Sequence, residues 1–174
     1  MNRPEAAVEA ILFDVDGVLT DGTFEPEDAK LGLPELKRFH ARDGLGLLLA
    51  RRVGLRIGFV TGRSSAVVRH RAEELGAAFL REGCFTKGVA FEEACETLGL
   101  DAARIAFVGD DVQDLPAMRR AGFSAAPADA HPRVLAAADF VSAFPGGRGA
   151  VREVVERILE ARGDLETAEN SFGD

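Results

Sequence analysis

The chain contains no tryptophan and no tyrosine, so it has no tryptophan-stacking site, and its 12 phenylalanines are read mainly as core. Cysteine is nearly absent. Cys84 and Cys95 form no CxxC pair and have no Cys/His cluster near them, which argues against structural zinc. They read as small buried hydrophobes rather than nucleophiles. No apolar run approaches the length of a membrane span, so no membrane partner is expected. The N-terminus lacks the basic start and apolar core of a secretory signal, which makes a reducing cytoplasm the expected setting. Basic residues are outnumbered, 21 Lys and Arg against 29 Asp and Glu, for a net charge of −8. Phosphate backbones select basic surfaces, so nucleic acid is not an expected partner. An anionic small molecule is still compatible with a locally cationic site.

What is present fits one soluble globular domain with a substantial core: 174 residues, 47% hydrophobic and 29% charged. That domain is expected over residues 1–163. Short apolar runs at Val8–Phe13, Leu55–Val60 and Arg104–Val108 read as buried strands, with weaker candidates at Ala77–Leu80, Gly122–Ala126 and Asp139–Val141. Helical patterns lie between them, at Leu45–Val53, Ser65–Leu75, Gly88–Leu98, Leu115–Ala121, Pro132–Ala138 and Ala150–Ala161. Gly54, Gly76, Gly99, Gly122 and Gly163 read as glycines that stop helices. The first four are 22 or 23 residues apart, room for one helix, one strand and short connections. Such alternation predicts an α/β fold: a three-layer, doubly wound, Rossmann-like parallel sheet with helices on both faces. Thr20–His40 interrupts the rhythm and reads as a projecting hairpin beside the first strand. The acidic segment 164–174 reads as a mobile tail.

The chemistry is concentrated where the predicted strands end. Asp14 and Asp16 follow the first strand in Phe13-Asp14-Val15-Asp16-Gly17. Residues i and i+2 of an extended chain point to one side, so both acids can converge on one point and need a cation or proton between them. Thr61-Gly62-Arg63 follows the second strand, where a hydroxyl and the N–H groups opening a helix make an anion site. A plain N-cap role for Thr61 is the alternative. Lys87 opens a further helix against the macrodipole, which an anionic ligand would justify, although a solvated lysine is equally compatible. Gly109-Asp110-Asp111-Val112-Gln113-Asp114 places three carboxylates after a buried strand. Capping explains one of them, and an oxygen-rich set of this kind suits Mg²⁺. Together these residues predict a phosphoryl-transfer site. Asp14 would attack phosphorus, and Asp16 would protonate the leaving alcohol and then activate water. Lys87 and Mg²⁺ would neutralise the phosphate oxygens.

The order Asp-x-Asp-Gly, Thr-Gly, Lys, Gly-Asp-Asp-x-x-Asp resembles the haloacid dehalogenase superfamily. Within it, Ile11–Ala161 resembles the 3-deoxy-D-manno-octulosonate 8-phosphate (Kdo 8-phosphate) phosphatases of lipopolysaccharide precursor synthesis. Arg42-Asp43-Gly44, Thr61-Gly62-Arg63, Ala128-Asp129-Ala130-His131-Pro132 and Gly146–Glu153 are the narrower matches. The resemblance implies a phosphatase without a cap domain that acts on a phosphorylated sugar acid. It also implies a homotetramer whose hairpins associate and whose neighbouring subunit helps to close each site. Mg²⁺ would be held by Asp14, the backbone carbonyl of Asp16 and Asp110, with Asp111 and Asp114 nearby. Phosphate would be held by Thr61, Gly62 and Lys87, and Arg63 and Arg71 are candidates for the substrate carboxylate. Arg63 favours the eight-carbon acid, because the branch acting on nine-carbon acids commonly has Glu after Thr-Gly. Ala29–Pro34 departs from the pattern by lengthening the turn, and Cys84-Phe85-Thr86 by making the approach to Lys87 less polar. The remaining alternatives are a nine-carbon acid phosphatase, an idle regulatory relative and a receiver-like phosphate-binding domain, whose motif order differs.

Overall fold

The apolar runs pair into one parallel sheet, because strands buried on both faces have no polar side to present to water. The computed structural model describes residues 4–25, 30, 32 and 34–172. In chain order the strands are β1 (Ala10–Phe13), β2 (Phe24–Glu25), β3 (Leu36–Lys37), β4 (Arg56–Val60), β5 (Phe79–Arg81), β6 (Ile105–Val108), β7 (Phe123–Ala126) and β8 (Phe140–Val141). The helices are α1 (Ala41–Arg52), α2 (Ala66–Leu75), α3 (Lys87–Leu98), α4 (Leu115–Met118), α5 (Pro132–Leu135), α6 (Ala150–Arg162) and α7 (Leu165–Asn170). The sheet order is β5-β4-β1-β6-β7-β8, and every pairing is parallel.

Alternation along each strand divides the core. Ile11 and Phe13 of β1 face α1, α2, α6 and α7, whereas Ala10 and Leu12 face α3, α4 and α5. Phe13 and Phe59, both buried, meet edge to face across β1 and β4 at 6.5 Å between ring centres. Truncating either ring to Ala would cost about 3–5 kcal/mol. The chain leaves β1 toward β4 and β5, then returns to β6 and continues the other way. The β1/β6 boundary is therefore the topological switch point, where such sheets open a crevice at their carboxyl ends.

Several details differ from the sequence reading. Helix α1 starts at Ala41 rather than Leu45, because Gly44 and Gly46 hide its periodicity. Gly46 is there for packing: a Cβ would stand 3.0 Å from the Cα of Arg152 on α6. Helices α4 and α5 stop short of Ala121 and Ala138. Gly54, Gly76, Gly99 and Gly163 adopt the expected left-handed conformation, but Gly122 does not. Gly122 is needed for clearance, since a Cβ there would overlap the backbone of Ala103. The hairpin forms from β2 and β3, with Phe24 opposite Lys37 and Glu25 opposite Leu36. Residues 26–28 and half of the Ala29–Pro34 insertion (29, 31 and 33) lie outside the described residues. The expected mobile tail is corrected: Leu165–Asn170 is helix α7, with Ala168 buried and Leu165 packed on the core. Those two apolar residues, three apart among acids, supply the docking face that the acidic composition obscured.

Candidate active site

Asp14, Asp110 and Asp114 come together at the switch point because β1 and β6 are in register up to it. Phe13 pairs with Val108, and the Asp14 N–H donates to Val108 O at 2.9 Å. Beyond Asp14 the chain makes a tight turn over Val15–Leu19, closed by the Thr20 N–H donating to Val15 O at 3.0 Å. Gly17 has φ of +98° in this turn, and a Cβ there would collide with the Asp110 carboxylate. Glycine is thus required both by the backbone and by the approach of the second acid.

One oxygen from each of Asp14, Asp110 and Asp114 lies within 4.8 Å of the others. Asp14 Oδ2, Asp110 Oδ1 and Asp114 Oδ1 are buried without a hydrogen-bond partner. The second Asp114 oxygen is engaged, accepting from the N–H groups of Asp110 at 3.0 Å and Asp111 at 3.2 Å. Lys87 enters from the first turn of α3 with no exposed surface. Its ammonium donates to Asp14 Oδ1 and, at 2.6 Å, to Val60 O, and lies 3.6 Å from Asp114 Oδ1. The solvated-lysine alternative therefore falls: buried carboxylates hold this cation at the helix start.

One lysine does not balance three acids. Burial raises the Asp14 carboxyl above its ordinary range against the opposing pull of Lys87. Burial, then the charges of Asp14 and Asp114, push Asp110 up to about 8. Burial and Asp14 likewise push Asp114 up to about 7, with Lys87 opposing. Unpartnered oxygens on mutually repelling acids fit a hard divalent cation, for which an all-oxygen donor set is suited. Asp114 is a central member of this set, a larger part than the supporting place expected of it. Asp111 is exposed and caps its own turn through the Val112 N–H at 2.6 Å.

Asp16 lies on the outer side of the same turn. Its Oδ1 accepts from Lys37 of β3, and Arg63 Nε stands 3.9 Å from its Oδ2. Arg63 and Lys37 both lie over the Phe24 ring, at 3.8 and 5.3 Å from its centre. Thr61 is buried and accepts the Arg63 N–H at 3.2 Å. It does not cap α2: Ser65 does, accepting from Val68 N at 3.2 Å. Gly62 is overlain by Phe85, itself 70% exposed. Arg71 is not brought to the acids. Its guanidinium pairs with Glu74 at 2.7 Å, lies over Phe39 and crowds Gly44, on the wall of a cavity of about 620 Å³ between α1 and α2.

Lys37 and Phe24 went unrecognised as site residues in the sequence, where the polar and turn residues of Thr20–His40 pointed only to a hairpin. Asp43 was noted only within a motif, and its contacts explain the motif. Buried on α1, it accepts the N–H groups of Gly149 at 3.1 Å and Arg152 at 2.9 Å, capping α6 from outside. The loop so held reaches the Val15–Leu19 turn, where the Gly147 N–H donates to Val18 O at 2.9 Å.

Comparisons with known proteins bear on the family and the fold. The haloacid dehalogenase-like hydrolase family matches residues 38–122. The 3-deoxy-D-manno-octulosonate 8-phosphate phosphatase KdsC of Escherichia coli K12 is 40% identical over 161 residues, covering 92% of this chain and 84% of that protein. The crystal structure of the corresponding phosphatase from Yersinia pestis superposes with a TM-score of 0.89 at 39% identity, covering 94% of this chain and 86% of the other. The Moraxella catarrhalis phosphatase, solved with magnesium ion, phosphate ion and Kdo, gives 0.91 at 36% identity, covering 97% and 95%. The chain belongs to the haloacid dehalogenase-like hydrolases, in the group of the Kdo 8-phosphate phosphatases.

Proposed function

We propose that this protein is a Mg²⁺-dependent phosphatase that hydrolyses Kdo 8-phosphate to Kdo and inorganic phosphate. The observation that carries the reading is the buried Asp14–Asp110–Asp114 set with Lys87, next to a less buried acid, Asp16. Asp14, Asp110 and the Asp16 carbonyl would hold the ion, with Asp114 beside them. When bound, Mg²⁺ supplies positive charge that offsets the phosphate oxygens and the clustered carboxylates. Lys87 adds a fixed charge, and Thr61 and Gly62 offer a hydroxyl and an N–H to the phosphate.

An Asp14 oxygen attacks phosphorus, forming an acyl phosphate as the ester P–O bond breaks. The electron pair passes to the alcohol oxygen, which takes a proton from Asp16. Asp16 then takes a proton from water as that water attacks phosphorus. The Asp14–phosphorus bond breaks, returning the carboxylate and releasing phosphate. Arg63, half exposed at the mouth, is positioned for a substrate anion. Arg71 would contribute only from the adjoining cavity.

The reading includes one catalytic domain, a cytoplasmic setting and a homotetramer assembled through the hairpins. Exposed Leu36 on β3 and Phe85 and Val89 near the site support association. Among the described residues no helix is long and apolar enough to cross a membrane. The test is a panel of phosphate monoesters with Mg²⁺, in which Kdo 8-phosphate gives the highest kcat/KM. A nine-carbon acid phosphate or a small generic ester in first place overturns the substrate assignment.

A further inference from the structure

The chemistry above gives no part to Lys37, although its side chain is completely shielded on a strand at the surface. Lys37 is more constrained than an ordinary surface ion pair. Its ammonium donates to Asp16 Oδ1, lies over Phe24 and stands 3.9 Å from Glu35 Oε1. Glu35 accepts from Ser65 Oγ at 2.6 Å, and Ser65 caps α2 directly after the Thr61–Arg63 loop. A continuous chain of polar contacts therefore runs from the phosphate loop through the hairpin to Asp16. Among the described residues, the other Asp16 oxygen, Oδ2, has only Arg63 near it, at 3.9 Å and beyond hydrogen-bond reach.

We propose that Lys37 is a positioning residue for the proton donor. By occupying Oδ1 it fixes the Asp16 carboxyl so that Oδ2 faces the leaving oxygen, and the Glu35–Ser65 contact sets where Lys37 stands. The step it serves is breakage of the ester P–O bond, with the electron pair passing to the alcohol oxygen and the Asp16 proton delivered to it. This rests on the reading of Asp16 as proton donor. A misplacement of about 1 Å in such a group can cost about 100-fold in rate. The cost is greatest for an alkoxide, which departs poorly without a proton, and least for a stable phenolate.

The experiment compares kcat and KM of the full-length enzyme with Mg²⁺ on Kdo 8-phosphate and on p-nitrophenyl phosphate. Lys37→Met should lower the ratio of the two kcat values about tenfold or more, within the range of lost general-acid catalysis, and change KM for the sugar phosphate less than kcat. Lys37→Arg should restore most of the ratio, and Glu35→Ala should fall between. Asp16→Ala is measured alongside. If it lowers the ratio and Lys37→Met does not, the positioning role is overturned while Asp16 as donor stands. If Asp16→Ala leaves the ratio unchanged, the donor assignment fails and the role of Lys37 with it. Circular dichroism checks each fold, and Lys37→Gln takes the same ratio test if Lys37→Met does not fold.

Discussion

Two acids two residues apart sit in opposite surroundings. Asp14 is buried at the end of a central strand, against a lysine and two further carboxylates. Asp16 is partly exposed and is held by side chains from a two-stranded hairpin and a loop. The first region is fixed by the register of a parallel sheet that cannot slip without turning its apolar residues outward. The second depends on strands of two residues each. In the proposed mechanism bond-making falls to the rigid region, and proton delivery and substrate choice fall to the region that can vary without damage to the sheet.

The largest effect that would break this comparison is at Lys87. Lys87→Met removes the cation that faces the buried Asp14 and Asp114. It is expected to lower kcat/KM about 100-fold or more, as for loss of a fixed transition-state donor. It should also destabilise the fold by about 3–5 kcal/mol, because breaking a buried pair strands its charge. Steady-state kinetics and urea unfolding measure both. An equal effect from Lys37→Met on stability would erase the distinction between the regions.

The next effect is on stability against pH. With Asp110 raised to about 8 and Asp114 to about 7, the folded chain keeps protons that the unfolded chain has released. Without a divalent cation, the stability these two groups contribute should therefore be fully present below about pH 4 and be lost as pH rises to about 8. Excess Mg²⁺, by replacing those protons, should flatten the decline. Urea midpoints with chelator and with Mg²⁺ test this, and a chelated protein that gains stability as pH rises would contradict it.

The smallest effect is at Phe24. Phe24→Ala removes the ring beneath Arg63 and Lys37, a contact worth about 0.5–1 kcal/mol at an exposed site. A few-fold loss in kcat/KM for the sugar phosphate, with an unchanged urea midpoint, would sharpen the division between regions. A large drop in the midpoint would blur it.

Much of the first region was legible in the sequence. Ile11–Phe13 and Ile105–Val108 are apolar runs that can only be buried strands, and the acids directly after them had to meet where those strands end. The second region was obscure because its contacts cross a long sequence gap from very short strands. Nothing around Lys37 announces that its partner is Asp16, 21 residues earlier. Arg71 shows the converse, since its helical spacing is plain but the direction of its side chain is set by Phe39, Gly44 and Glu74. The acidic end of the chain misled through composition, as two apolar residues were enough to dock α7.

The most direct test of the central claim is to trap the covalent step. Asp16→Asn slows the water-dependent second half, so enzyme mixed with Mg²⁺ and p-nitrophenyl phosphate and then quenched in acid should carry one phosphoryl group. Peptide mass spectrometry should place that group on Asp14, and Asp14→Asn should abolish both the adduct and turnover without loss of fold. A phosphoryl group on any other residue, or normal turnover by Asp14→Asn, would contradict the account.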